Sequence, residues 1–236
     1  NLGTGISLPY FFNLGLDKNF TLTNRLYATE NPLFMGEYHQ AFKNSKLLAD
    51  FGYTEGYKKT SSTKKMGEKS HFFSKFSSYF KGKNNSENTL NLSLQDVSND
   101  KYLKLYKIKS NLVDYNNEIL ENELSFTSEI DDLFFGFTAS VYETLNENYE
   151  DKYEYILPEI TFDKSLLNSQ KYGSLSLQSN YKVHNYDTNK LTNFLINDFS
   201  WNSKDFLFKN GINTKLLGNL KNINYETKNV DKYKED

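Results

Sequence analysis

The sequence predicts an all-β fold: an antiparallel up-and-down transmembrane β-barrel segment of about a dozen strands. Three observations predict it. Apolar and polar residues alternate by twos in segment after segment, many about nine to eleven residues long, the length that crosses a bilayer when tilted. Aromatic residues make up 16% of the 236 residues, with 19 Phe and 18 Tyr, while Pro numbers only 3. Short polar connections alternate with longer ones, as tight turns on one rim and loops on the other would require. An aromatic-rich soluble β-sandwich is the competing explanation, and composition alone favours it.

The first hairpin sets the pattern. Ile6, Leu8, Tyr10, Phe12 and Leu14 fall on one side of an extended chain, and Ser7, Pro9, Phe11 and Asn13 on the other. After a turn at Leu16 to Asn19, Phe20, Leu22 and Leu26 face one way and Thr21, Thr23, Arg25 and Thr29 the other. A second pair follows: Leu33 to Phe42, a turn at Lys43 to Lys46, then Leu47 to Tyr57. Lys58 to Lys69 reads as an exposed loop. Ser70 to Phe80 fits both a helical stripe and a strand, and its neighbours favour a strand. Leu90 to Val97 alternates cleanly. After a turn at Ser98 to Asp100, Lys101 to Tyr106 continues as an extended segment. Glu123 to Ser128 and Leu133 to Glu143 form a hairpin across Glu129 to Asp132. A polar loop around Asn146 to Asp151 precedes Tyr153 to Phe162. Ser174 to Val183, Leu191 to Trp201, Phe206 to Leu216 and Leu220 to Tyr225 complete the series.

Composition excludes several classes. There is no Cys, so neither disulfides nor thiolate metal sites are possible. With 28 basic and 30 acidic residues the net charge is −2, which offers no basic field for nucleic acid. No apolar run is long enough for a transmembrane helix, but a barrel strand needs apolar residues only at alternate positions. His39, His71 and His184 are far apart and lack metal spacing; each reads as a strand residue at a polar face or rim. Gly3-Thr4-Gly5 lacks the lysine and helix start of a phosphate loop. Asp131-Asp132 reads as a hairpin turn, and Trp201 as an interfacial ring or a core tryptophan. No catalytic constellation is present, so the chain reads as a non-enzyme without metal or cofactor. The chain begins with Asn1 and shows no charged-then-apolar leader, which predicts a processed chain or a fragment; it ends in Lys-Glu-Asp, without the apolar, aromatic-ended strand that closes many outer-membrane barrels.

Four segments, in order, carry a resemblance. Leu8 to Asn13 followed by Phe20 to Thr23 looks like a "PYYWN…DxTLTP" hairpin. Met35-Gly36-Glu37-Tyr38 looks like "GEFRY". Val97 to Tyr106 is similar to "SDDTYLRRY". Tyr142 to Leu145 followed by Tyr155 to Glu159 is similar to "FQxL…YxLPE". Together they resemble the barrel domain of the lipopolysaccharide-assembly LptD (OstA) family, most closely its alphaproteobacterial forms.

The resemblance implies an outer-membrane barrel of about two dozen strands. Such a protein takes lipopolysaccharide from a periplasmic LptA-like bridge through an N-terminal jellyroll and releases it sideways into the outer leaflet. An LptE-like lipoprotein plugs the lumen. Residues 1–236 would be the N-terminal half of that barrel, an open and incomplete sheet with two exposed edges in the outer membrane of a Gram-negative bacterium. Pro9 matches a gate proline in the first strand, or simply marks an edge strand. Asn24 stands where the family has its second gate proline. Thr21, Thr23, Arg25 and Glu37 are candidates for lumen contact with a polar headgroup, and a solvated interior explains them equally well. Pro32 reads as a turn residue and Pro158 as a kink or strand start. Two other expectations stand beside this one: another outer-membrane barrel, such as a porin or receptor, and a soluble β-sandwich carbohydrate-binding module.

Overall fold

The computed structural model describes residues 2–62, 64–146, 151–187 and 189–230. Part of the expected loop at 146–151 and both chain ends, Asn1 and 231–236, lie outside these residues.

Alternation produces strands almost throughout. They are β1 (Gly5–Asn13), β2 (Lys18–Tyr27), β3 (Leu33–Ala41), β4 (Ser45–Gly56), β5 (Met66–Lys81), β6 (Glu87–Val97), β7 (Ile119–Ile130), β8 (Leu133–Thr144), β9 (Tyr153–Ser169), β10 (Gly173–Tyr186) and β11 (Lys190–Asn202). A two-stranded ribbon, β12 (Phe206–Leu207) with β13 (Asn213–Thr214), precedes β14 (Leu217–Lys228). One antiparallel sheet holds twelve strands in the order β1 to β11 and then β14, so nearly every strand pairs with its sequence neighbours. A sandwich would need two sheets of comparable size packed face to face; the described residues form this sheet and the small ribbon. Connections after β1, β3, β7 and β9 are tight, and those after β4 and β6 are long, at 57–65 and 98–118. The 203–216 connection after β11 breaks that rhythm.

Two segments differ from expectation. Lys101 to Tyr106 is not extended: Tyr102–Tyr106 is a short helix, α1. Its apolar residues fit either period, and burial decides between them, because only the helix drives Tyr102, Leu103 and Tyr106 together into a core. Lys107 ends it in the left-handed region (φ 47°), and the Ile108 amide donates to the Leu103 carbonyl at 3.2 Å. Phe206 to Leu216 is not one strand. Gly211 (φ 83°) reverses it, the Gly211 amide donating to the Phe208 carbonyl at 2.9 Å, and β12 and β13 are the two short arms. Elsewhere the strands run longer than the clean alternation, β9 most of all. Pro158 lies in β9 where the register against β10 shifts between Lys182 and His184, a place that tolerates a missing amide donor. Asp131 turns the β7–β8 hairpin with φ 46°, which an aspartate adopts at modest cost.

By contacts the chain divides into two compact units. The first comprises residues 1–79, 90–124 and 142–153; the second comprises 80–89, 125–141 and 154–236. In the first unit the register places one apolar row across five strands: Tyr10, Leu22, Gly36, Phe51 and Phe72. Three of its rings face outward, Tyr10 being 54% and Phe51 and Phe72 each 44% exposed. Gly36 is needed there, since a Cβ at this position would sit 2.5 Å from the Phe51 ring and 2.9 Å from Phe20. Phe20 and Phe51 stack above it at 6.2 Å, and Phe12 stacks on Phe20 at 6.0 Å. The opposite face of the same strands is polar and holds the large core found among the described residues: Leu33, Phe73 and Val97 pack with Tyr102, Leu103, Tyr106, Ile108 and Val113. In the second unit the faces of β10 and β11 are more mixed. Leu175, Leu177, Tyr181, Leu195, Phe199 and Trp201 share one side with Ser179 and Asn197, and Ser176, Gln178, Asn180, Lys182, Asp198 and Ser200 share the other with Phe194 and Ile196.

Candidate functional site

The polar face of the first unit is organised in rows. Thr21, Glu37, Asp50 and Phe73 are successive cross-strand partners; so are Thr23, Met35, Gly52 and His71, and then Arg25, Leu33, Thr54 and Lys69. Thr21, Thr23, Arg25 and Glu37 thus share one face of the sheet. They are not equivalent. The 98–118 segment folds back over part of this face and takes up two of them. The Arg25 guanidinium donates to the Tyr106 carbonyl and, through Nε, to Ser7 Oγ at 3.3 Å. Glu37 Oε2 accepts from Asn111 Nδ2 at 3.0 Å, and its other oxygen lies 2.7 Å from His39 Nε2. Both residues hold the cover in place.

At the centre lies a chain of three polar groups. His71 Nε2 is 3.1 Å from Asp50 Oδ1, and His71 Nδ1 is 3.0 Å from the Tyr102 hydroxyl. All three residues are buried. With Nε2 protonated the imidazole donates to Asp50 and accepts from Tyr102, so every group is satisfied and the helix is pinned to β5. Gly52 makes room: a Cβ there would meet the His71 ring at 2.5 Å. Burial raises both tyrosine hydroxyls of α1, Tyr106 to about 12, so neither ionises at neutral pH.

The cover is tied down at its ends. Lys152 Nζ lies 2.6 Å from Asp100, which raises the lysine above its ordinary value. The neighbouring 57–65 loop is held by Glu30, which accepts from Lys64 Nζ at 2.6 Å and from the Lys58 amide at 3.0 Å. These two bonds, the Lys64 bond first, hold the Glu30 carboxyl below the usual range despite its burial.

Of the gate candidates, Pro9 lies on the edge strand β1 and Asn24 on its neighbour β2. Bonds from Leu14 N to Lys18 O (3.2 Å) and from Ala28 N to Thr4 O (3.0 Å) bracket the β1–β2 ladder. Antiparallel pairs alternate, so the even-numbered residues of β1 exchange bonds with β2 and the odd-numbered ones turn their backbone groups outward. Pro9, opposite Thr23, is therefore an outward residue. Its missing donor weakens the open side of β1 and leaves the β1–β2 ladder intact. Asn24, opposite Leu8, is an inward one and keeps the amide that a proline would delete. Its side-chain oxygen is buried without a hydrogen-bond partner among the described residues.

Asp50, His71, Tyr102 and Asn111 are absent from the sequence-based candidates. Alternation puts Asp50 and His71 on polar sides of their strands, but their meeting depends on the Gly52–His71 register and on a long loop folding back. Of the other histidines, His39 pairs with Glu37, and His184 lies 2.6 Å from Glu154. Beside the covered zone, at the end where β1 turns into β2, lies a cavity of about 720 Å³. No protein-family model matches the chain, and no curated protein matches it.

Proposed function

We propose that this chain is part of an outer-membrane β-barrel that moves lipopolysaccharide to the outer leaflet and releases it beside β1. One observation carries the reading: a sheet with an exposed aromatic face and a polar opposite face ends at a strand whose proline turns its missing donor to the open side. Bilayer lipid suits the first face, because each inner strand pairs with a neighbour on both sides and alternate side chains are apolar. The polar face suits a hydrated lumen. In this reading β1 is one lip of a lateral opening, strongly paired to β2 and weakly paired to whatever strand closes the barrel. Lipopolysaccharide, an LptE-like plug and an LptA-like bridge are the partners that go with it.

Pro9→Ala tests the reading. Restoring the donor adds one ladder bond, worth about 0.5–1.5 kcal/mol, to the closing pair. Surface lipopolysaccharide should then fall when the protein is expressed at limiting level, and a disulfide-trapped seam should form more readily. Unchanged surface lipopolysaccharide removes the gate role from Pro9. An Asn24→Pro variant should act oppositely, loosening β1 from β2.

A further inference from the structure

The connection between β11 and β14 is an ordered ribbon whose apolar side faces outward. The β11–β14 ladder ends at Asn202 and Leu217 and is continued by Ser203, whose amide donates to the Leu216 carbonyl at 2.9 Å and whose hydroxyl accepts from the Leu216 amide at 2.8 Å. Beyond it Phe206 pairs with Thr214 and Leu207 with Asn213, and the Phe208 amide donates to the Ile212 carbonyl at 2.8 Å. Lys204 and Asp205 therefore stand opposite Lys215 alone, one extra residue, as in a β-bulge. Because the extra residue lies on one arm only, alternation keeps Phe206, Phe208, Ile212 and Leu216 on the side that Phe199, Trp201 and Leu220 take in the sheet. Phe208 and Ile212 are each 56% exposed. Lys204, Lys209 and Lys215 frame these side chains against one carboxylate, Asp205, and none of the three pairs with a carboxylate among the described residues. The Lys204 ammonium stands 5.4 Å from the centre of the Phe206 ring.

We infer that this ribbon is an interfacial anchor: it lays the side bearing Phe206, Phe208 and Ile212 on an anionic lipid surface, with Lys204, Lys209 and Lys215 on the headgroup phosphates. A two-stranded ribbon is marginal in water by itself, and a surface against its apolar side supplies the burial it lacks. The ribbon is not needed for crossing a bilayer. β11 already runs 13 residues, and about nine to eleven suffice for a tilted strand. The ribbon thus lies past the spanning part, at the boundary where rings enter the acyl region and long cationic side chains reach back to phosphate. Charge decides between lipid and an apolar groove on another protein, since three unpaired ammonium groups beside the rings suit a phosphate layer. The inference rests on the membrane part of the proposed function and is independent of what the barrel transports.

The test uses the whole chain reconstituted in vesicles of phosphatidylcholine, with or without phosphatidylglycerol, whose acyl chains carry bromine, a short-range quencher of indole fluorescence. Trp201 is the one native tryptophan and reports the end of β11. Trp201→Phe with Phe208→Trp moves the reporter to the apolar side of the ribbon, and Trp201→Phe with Asn213→Trp to its other side. Brominated lipid should quench the Phe208→Trp reporter at least about threefold more than the Asn213→Trp reporter. Phosphatidylglycerol should deepen that quenching, less so as salt rises, and Lys204→Gln with Lys209→Gln and Lys215→Gln should abolish the gain. The same three substitutions in the parent should leave quenching of Trp201 unchanged, which shows that the sheet is folded. Equal quenching of the two ribbon reporters, or a phosphatidylglycerol gain that survives the glutamines, overturns the anchor. Quenching of Trp201 with none at the Phe208→Trp reporter also overturns it, turns the ribbon toward a protein partner and leaves the membrane reading standing. If neither reporter is quenched, the membrane reading falls with the anchor.

Discussion

The two units use the same alternation and are held together differently. Every member of the buried hydrophobic cluster belongs to the first unit; among the described residues of the second, Val230 is the one buried hydrophobic side chain. The first unit covers its polar face with its own chain. The second leaves Ser176, Asn180, Lys182 and Asp198 half-buried, joined by surface-type contacts such as Asn180 to Thr161 at 3.2 Å and Lys221 to Asp198 at 3.2 Å. Ladder hydrogen bonds are common to both. The difference teaches that a strand pattern alone does not make a core here. Where no segment folds back, stability must come from the ladders and from what bathes the apolar face, and bilayer lipid is the solvent that would supply it.

The sharpest way to break this contrast is at the centre of the cover. Tyr102→Ala deletes a fully buried ring and strands His71, and it should cost about 3–5 kcal/mol in denaturant unfolding from micelles. Tyr102→Phe keeps the ring and should cost about 1–3 kcal/mol, the penalty of one unsatisfied buried group. Asn180→Ala in the second unit should cost no more than about 1 kcal/mol. Equal costs in the two units would mean that α1 rests on the sheet without stabilising it.

Thiol labelling probes the same contrast more finely, and the absence of native Cys makes it clean. Thr54→Cys lies under the cover and Ser176→Cys on the uncovered polar face. A water-soluble maleimide should label Ser176→Cys at least roughly tenfold faster, since reaction at 54 needs local opening. Phe51→Cys, on the exposed aromatic face, should resist that reagent in membranes and accept a lipid-soluble one. Rapid labelling of Phe51→Cys from water would defeat the membrane reading while leaving the fold untouched.

The faces of β1 to β4 were legible because period two is local: each residue's side follows from its neighbour's. Thr21, Thr23, Arg25 and Glu37 fell together for that reason. The site's centre was not legible, because it is made by distant residues. His71 meets Asp50 only through the β4–β5 register, and Tyr102 arrives from a segment whose Tyr, Leu, Leu and Tyr suit strand or helix equally. Phe206 to Leu216 misled for the converse reason: Phe206, Phe208 and Ile212 alternate, yet Asn210-Gly211 turns the chain between them. Pro9 was recognisable as special from its strand position, while the side it weakens needed the hydrogen-bond alternation.

The smallest expected effect concerns the loop next to the cover. Glu30 holds the 57–65 loop through Lys64 and the Lys58 amide; in the second unit Asp187 pairs with Lys190 at 3.2 Å across the short turn after β10. Its carboxyl is held below the ordinary value, so the sign is fixed: the stabilisation is complete above the unfolded-state value, about 4.3, and is lost as pH falls through the lower folded-state value. Trypsin cleavage at Lys58, Lys59 and Lys64 should therefore be slow in the parent protein at neutral pH. Glu30→Gln should speed it severalfold there, with little change at Lys204 or Lys209 in the second unit. Hydrogen exchange of the Lys58 amide, followed downward in pH and corrected for intrinsic rates, should lose protection as pH falls through the lowered folded-state value in the parent, whereas Glu30→Gln should show no such step. A step that persists in the variant would move the clamp to another carboxylate and leave Glu30 a bystander.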